Sequence, residues 1–188
     1  MPLDEGARAT LVAELREHAL VIGDVTLTSG KKASYYVDAK RAILRQPAFG
    51  AVGDLVAAKA NELGATAVGG MTMGADPIAS AALAGNDGAE LIAFFVRKEK
   101  KQHGLQRWVE GPLIHPGTKV LIVEDVVTTG GSTVKAIERC LEEGLEIAGT
   151  VSVLDRLAGG AEAIAAAGGG EYTPLATIDD VYPERPES

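Results

Sequence analysis

Cysteine is almost missing from this 188-residue chain, where Cys140 stands alone. One thiol can close no intramolecular disulfide and can build no zinc site of the usual kind, which excludes a disulfide-stapled secreted scaffold. No run of 18 apolar residues occurs, so nothing is expected to span a membrane. The first residues, MPLDEGARAT, place acids where a signal peptide has a basic end and an apolar stretch, and the expected location is cytoplasmic. Positive charge is also in deficit: 18 Lys and Arg face 26 Asp and Glu, a net of −8, which argues against a nucleic-acid binder. What remains is 46% apolar and 23% charged residues, enough to bury a sizeable core and to exclude a disordered tail. At roughly 150 residues per domain, the length predicts a single one.

The few cations are concentrated. Lys31, Lys32, Lys40, Arg41 and Arg45 lie near one acid, Asp38; Arg97, Lys98, Lys100, Lys101 and Arg107 lie near Glu99. Two strongly basic segments in an acidic protein suggest a local site for a small polyanion, the alternative being two solvated loops.

Apolar spacing predicts a first helix through Ala7, Leu11, Leu15 and Ala19, ending near Gly23. Two short strands follow, around Val25–Thr28 and Tyr35–Asp38, and Pro47 suits the start of a helix that continues to Gly64. Strands and helices then alternate. Ala67–Gly70, Leu91–Val96, Val120–Val123 and Ala148–Leu154 read as strands; Pro77–Leu83 and Ser132–Glu143 read as helices. The pattern predicts an α/β fold, a doubly wound, mainly parallel central sheet with helices on both faces. Ligands in such sheets sit beyond the carboxyl ends of the strands, here the segments 70–76, 97–104 and 124–132.

Residues 120–135 read VLIVEDVVTTGGSTVK: an apolar strand, the acids Glu124 and Asp125, then a hydroxyl- and glycine-rich loop entering a helix. Gly130 and Gly131 allow the turned backbone that points successive N–H groups into one concavity. Thr128, Thr129, Ser132 and Thr133 add donors at a helix N-terminus, whose dipole favours an anion by about 0.3–1 kcal/mol. No Lys precedes Ser132 and no G-x-G-x-x-G occurs, so neither a Walker A loop nor a dinucleotide fingerprint is present. The spacing suits a phosphate in the loop and hydroxyl groups on the two acids.

VLIVEDVVTTGGS resembles the phosphoribosyl-diphosphate (PRPP) motif of type I phosphoribosyltransferases. The segment RKEKKQHG (97–104) is similar to the catalytic loop of the orotate phosphoribosyltransferases within that family. LTSGKKASYYVD (27–38), GGMTMGADPIA (69–79) and VLDR (153–156) resemble further segments of the same family in the same order. The resemblance implies the type I phosphoribosyltransferase fold as one domain, residues 1–188, with an N-terminal hood of roughly 1–45 and a core of roughly 46–180.

It further implies transfer of phosphoribose from PRPP to N1 of orotate, giving orotidine 5′-monophosphate and diphosphate in pyrimidine synthesis. Arg97, Lys98, Lys101 and His103 would contact diphosphate, with Lys98, Lys101, His103 and Asp125 in the catalytic role. Glu124 and Asp125 would hold ribose hydroxyls, and Val126, Val127, Thr128, Thr129, Gly130, Gly131 and Ser132 would wrap the 5′-phosphate. Thr128, Arg156 and the backbone at Tyr36 and Val37 would flank orotate. The resemblance also implies a homodimer with shared sites, and Mg²⁺ bound mainly through PRPP rather than by direct protein ligands. Two positions depart from the family pattern: Thr28 and Gly74 stand where many members have lysine, with Lys31 or Lys32 as the alternative source of charge.

Other readings of the same motif are a PRPP-sensing regulator without catalysis and a purine phosphoribosyltransferase. The lysine-rich loop and Arg156, whose planar fork suits a carboxylate, argue for an anionic base. Trp108 is expected to pack at the base of the loop, with base stacking as the alternative. Tyr35 and Tyr36 alternate along a strand, so only one of them should face a site. His18 and His115 read as surface or turn residues, Cys140 as a small buried one, and the end of the chain, with Pro183 and Pro186, as frayed.

Overall fold

The computed structural model describes residues 4–26, 32–86, 88, 90–99 and 107–186. Thr28, Lys31, Lys100, Lys101 and His103 fall outside the described residues.

Asp4 starts helix α1 (Glu5–Glu14): its carboxylate accepts from the N–H groups of Gly6 at 2.8 Å and Ala7 at 3.0 Å. The α-helix does not reach Gly23. It widens at Leu15 into one π-turn, Leu15–Ala19, and strand β1 (Leu20–Thr26) follows directly. Leu11, Leu15 and Ala19 are all fully buried, so the apolar spacing is satisfied by either kind of turn. Gly23, with φ 139°, sits in the stretch where the register with β2 (Lys32–Val37) shifts between Ile22 and Val25. It marks a bulge within an antiparallel pair rather than a helix stop.

A short helix α2 (Lys40–Ile43) leads to α3 (Ala48–Leu63), with Pro47 at the N-cap and Gly64 closing the helix at φ 68°. Then come β3 (Ala67–Met71), α4 (Asp76–Ala84), β4 (Ile92–Val96), β5 (Val109–Glu110), β6 (Lys119–Val127) and α5 (Gly131–Glu142). The chain finishes with β7 (Glu146–Asp155), α6 (Gly160–Ala166), β8 (Glu171–Thr177) and α7 (Ile178–Val181). The central sheet has the order β5-β4-β3-β6-β7-β8 and is parallel except for β5. The last strand and the helices beside it have no counterpart in the apolar pattern. Pro174 lies within β8, which is tolerated because β8 is an edge strand, and α7 opens on a capping box between Thr177 and Asp180. α7 ends at Val181, so the tail expected to fray, with Pro183 and Pro186, lies beyond the last helix.

The pleat of β6 feeds two cores. Leu121 and Val123 join a cluster with Leu11, Leu15, Leu55 and Ile78; Val120 and Ile122 join one with Phe94, Ile137, Cys140 and Ile164. The N-terminal helix thus shares a core with the sheet. Among the described residues no helix is long and apolar enough to cross a membrane.

The sheet also opens its own crevice. β3 connects to β4 on one side, while β6 pairs on the other, so winding reverses between β3 and β6. Their ladder ends at Gly69 opposite Ile122, yet β6 runs on to Val127, still paired with β7.

Candidate active site

Glu124 and Asp125 lie inside β6, since the strand continues beyond Val123. Alternation therefore sends the two acids to opposite faces. On the α5 side, Glu124 Oε2 accepts from the hydroxyl of Thr133 at 3.3 Å. On the other side, Asp125 Oδ2 accepts from the Lys40 ammonium at 2.6 Å, while Asp125 Oδ1 accepts from the Val126 N–H at 2.9 Å. Burial, and after it the adjacent charge of Asp125, pushes the Glu124 carboxyl up to about 8.

The loop after β6 forms a concavity of about 150 Å³ lined by Glu124 and residues 126–133. Gly130, at φ 78°, is the N-cap of α5, so the turn at the helix mouth uses a conformation that a side chain would disfavour. A Cβ there would also lie 3.0 Å from the Gly160 carbonyl. Thr129, Gly131 and Ser132 are exposed around the mouth. Free N–H groups at such a helix start are suited to an oxyanion.

Lys40 was not assigned a role by its sequence position, although it belongs to the first basic segment. Its ammonium also lies 3.2 Å from Asp38, and although partial burial opposes the charge, the two carboxylates hold its pKa above the usual lysine value. Gly74, just past β3, faces the same acids. A Cβ at this position would come within 2.6 Å of Asp125 Oδ1 and 3.0 Å of Glu124 Oε1. Position 74 thus leaves no room for a side chain beside the two carboxylates, and the cation beside Asp125 arrives from Lys40.

At the end of β7, the Arg156 N–H donates to the Val127 carbonyl at 2.9 Å, which joins this residue to the strand entering the cradle. The Arg156 guanidinium lies 5.1 Å from the centroid of the Tyr35 ring, and its buried Nε has no hydrogen-bond partner among the described residues. Tyr35 is buried and stands edge-on to Tyr182, whereas Tyr36 points outward at 38% exposure and Val37 is buried. Only one of the adjacent tyrosines faces Arg156, as alternation requires, and it is Tyr35. Behind them Asp155 accepts from the Leu157 N–H at 2.8 Å and from the Tyr172 hydroxyl at 3.0 Å, and thereby fixes the turn that carries Arg156.

Arg97 and Lys98 follow β4. The Arg97 guanidinium is held by Glu110 at 3.2 Å and by the Glu99 carbonyl at 3.1 Å, and Lys98 is exposed. An open cleft of about 410 Å³ joins this segment to Thr72 at the end of β3. Trp108 packs under Arg139 at 4.2 Å, at the foot of the segment. The two acids, the phosphate cradle and Arg156 converge at one end of the sheet, with the basic segment two strands away.

The phosphoribosyl transferase domain family model matches residues 41–167. A relative named orotate phosphoribosyltransferase from Rhodopirellula baltica is 48% identical over 92% of this chain and 92% of its own length. One from Corynebacterium glutamicum is 48% identical over 86% and 87%. Among solved structures, Mycobacterium tuberculosis orotate phosphoribosyltransferase in complex with Fe(III) dicitrate superposes with TM-score 0.84 at 40% identity, covering 94% of this chain and 99% of that one. The same enzyme in complex with PRPP gives TM-score 0.79 at 36% identity, over 93% and 98%. With such identity running nearly end to end in both partners of each comparison, the chain belongs to the orotate phosphoribosyltransferases of the phosphoribosyltransferase family.

Proposed function

We propose that the protein transfers the phosphoribosyl group of PRPP to N1 of orotate, with release of diphosphate, for pyrimidine nucleotide synthesis. The observation that carries this reading is the convergence of Glu124, Asp125, the 126–132 cradle and Arg156 beyond the ends of β6 and β7. One ligand with a phosphate, a polyol and an adjoining anionic ring satisfies all of them.

The cradle N–H groups and hydroxyls hold the 5′-phosphate, each charge-assisted bond contributing about 1.5–3 kcal/mol. Glu124 and Asp125 accept from the ribose hydroxyls and so fix the ring with C1 toward the base. Arg156, whose buried Nε lacks a partner among the described residues, engages the orotate carboxylate; Tyr35 backs the guanidinium, and Thr128 and the backbone at Tyr36 and Val37 border the ring. Arg97, Lys98, Lys101 and His103 stabilise the negative charge that grows on the departing diphosphate, a contribution that is largest once water is excluded. The carboxylate oxygens beside the cradle are donors of the hard type that Mg²⁺ accepts; bound mainly through PRPP, the ion would screen the charge of the diphosphate. The protein acts as a homodimer in which the basic segment serves the neighbouring subunit's site.

The decisive assay follows loss of orotate absorbance with PRPP and Mg²⁺, alongside hypoxanthine, adenine and uracil. Turnover of orotate alone is expected; PRPP binding without turnover of any base would overturn the transferase reading in favour of a sensor. Lys101→Ala is expected to raise the barrier by roughly 2.7–4 kcal/mol while PRPP binding stays within a few-fold. For the shared site, mixing inactive Lys101→Ala and Asp125→Asn proteins should restore activity through hybrid dimers, and a mixture as inactive as its parts would refute it.

A further inference from the structure

Helix α5 makes a second set of contacts at the end opposite the cradle. Arg139, about two turns beyond Ser132, donates through Nη1 to the Arg97 carbonyl at 2.5 Å and through Nη2 to the Lys98 carbonyl at 2.9 Å. Its Cζ lies 4.2 Å from the Trp108 ring centroid, and Nη1 lies 3.3 Å from Met71 Sδ. Two acids complete the grip: Glu143 accepts from the Trp108 N–H at 2.8 Å and Glu142 from the indole Nε1 at 2.7 Å. The Arg97 N–H in turn donates to the Trp108 carbonyl at 2.9 Å. One end of one helix therefore holds the chain where it leaves β4 and again where it returns to β5. Only a planar guanidinium offers an edge to two carbonyls and a face to an indole at once; an ammonium keeps the charge and loses that geometry.

We infer that Arg139 is a positioning residue of the transfer reaction: it fixes the main chain at Arg97 and Lys98, and so sets where those two cations start, from the same helix whose N-terminus forms the phosphate cradle. The inference rests on the reading above, in which Arg97 and Lys98 act on diphosphate. Among the described residues β4 and β5 share the pairs Phe95–Glu110 and Val96–Val109, a short ladder to which the clamp adds two bonds at Arg97 and Lys98.

The test compares Arg139→Met, Arg139→Lys, Lys98→Met and the double variant Arg139→Met/Lys98→Met. Steady-state kinetics with PRPP and orotate would be measured beside thermal unfolding. Arg139→Met is expected to lower kcat/KM for PRPP by about 10- to 100-fold, the equivalent of one charged hydrogen bond. KM for orotate should hardly move. Arg139→Lys should fail to rescue, and it keeps the test open if the methionine variant does not fold. In the double variant the loss should be well short of the product of the single losses, because both act through one group. Rescue by lysine, multiplicative losses, or normal kcat/KM in Arg139→Met despite a lower melting temperature would overturn the inference, leaving Arg139 a purely structural residue. An unaffected Lys98→Met would instead remove the diphosphate reading, and the inference with it.

Discussion

Glu124 carries a proton at a pH where most glutamates have lost theirs, because its carboxyl is largely buried and stands beside the like charge of Asp125. Its carboxyl would ionise near 4.5 in the unfolded chain and does so at about 8 in the folded one. Between those values the folded protein holds a proton that the unfolded protein releases, so this group's contribution to stability is complete below 4.5 and lost as pH rises toward 8. Glu124→Gln, a permanently neutral amide, should therefore flatten the decline of melting temperature between about pH 5 and pH 8. A decline as steep as in the parent would contradict the shift. Lys40 on the other acid is the residue that sequence position did not single out: five cations lie within residues 31–45, and nothing in their order says which one reaches across to β6. Replacing it by methionine removes a charged hydrogen bond from Asp125. The expected result is about a 10- to 100-fold lower kcat/KM for PRPP, measured beside an unchanged KM for orotate.

At the scale of elements, glycines near β3 separate what holds the fold from what shapes the site. A Cβ on Gly70 would meet the Val123 backbone carbonyl at 2.1 Å, whereas one on Gly74 would meet the end of the Asp125 side chain at 2.6 Å. Gly70→Ala should thus lower the melting temperature strongly. Gly74→Ala should leave it within a few degrees and cut turnover, since only a side chain has to move; equal thermal losses would refute the distinction. The parallel strands were legible because buried runs such as LIAFFV and VLIV carry no competing period. The phosphate loop was legible because its glycines and hydroxyls have few other uses beside two acids. The π-turn at Leu15 was hidden, since α- and π-turns both satisfy the spacing of Leu11, Leu15 and Ala19. The bulge at Gly23 read as a stop for the same local reason, and β8 was masked by Pro174 and by Gly168–Gly170. Distances across the fold, such as Lys40 to Asp125 or Arg139 to Lys98, belong to packing and left no local signal.

Across the whole molecule, α1 and the π-turn contribute Leu11 and Leu15 to the cluster that covers one face of the central sheet. We propose that residues 1–188 consequently unfold as one unit. Far-UV circular dichroism and the fluorescence of the one tryptophan, Trp108, should give coincident urea transitions, although Trp108 lies beside α5 on the opposite face. Leu15→Ala should shift both together by about 2–5 kcal/mol, and separated transitions would show two units. The opposite core holds Cys140, fully buried, with its thiol pushed up to about 12 by burial and by the charge of Glu143. Thiol reagents attack the thiolate, so the folded protein is silent toward them. The chain is in effect a blank background for site-directed labelling. A cysteine placed at exposed Glu99 would be the one reactive sulfur on the surface, and a dye there could report the approach of PRPP to the basic segment in real time.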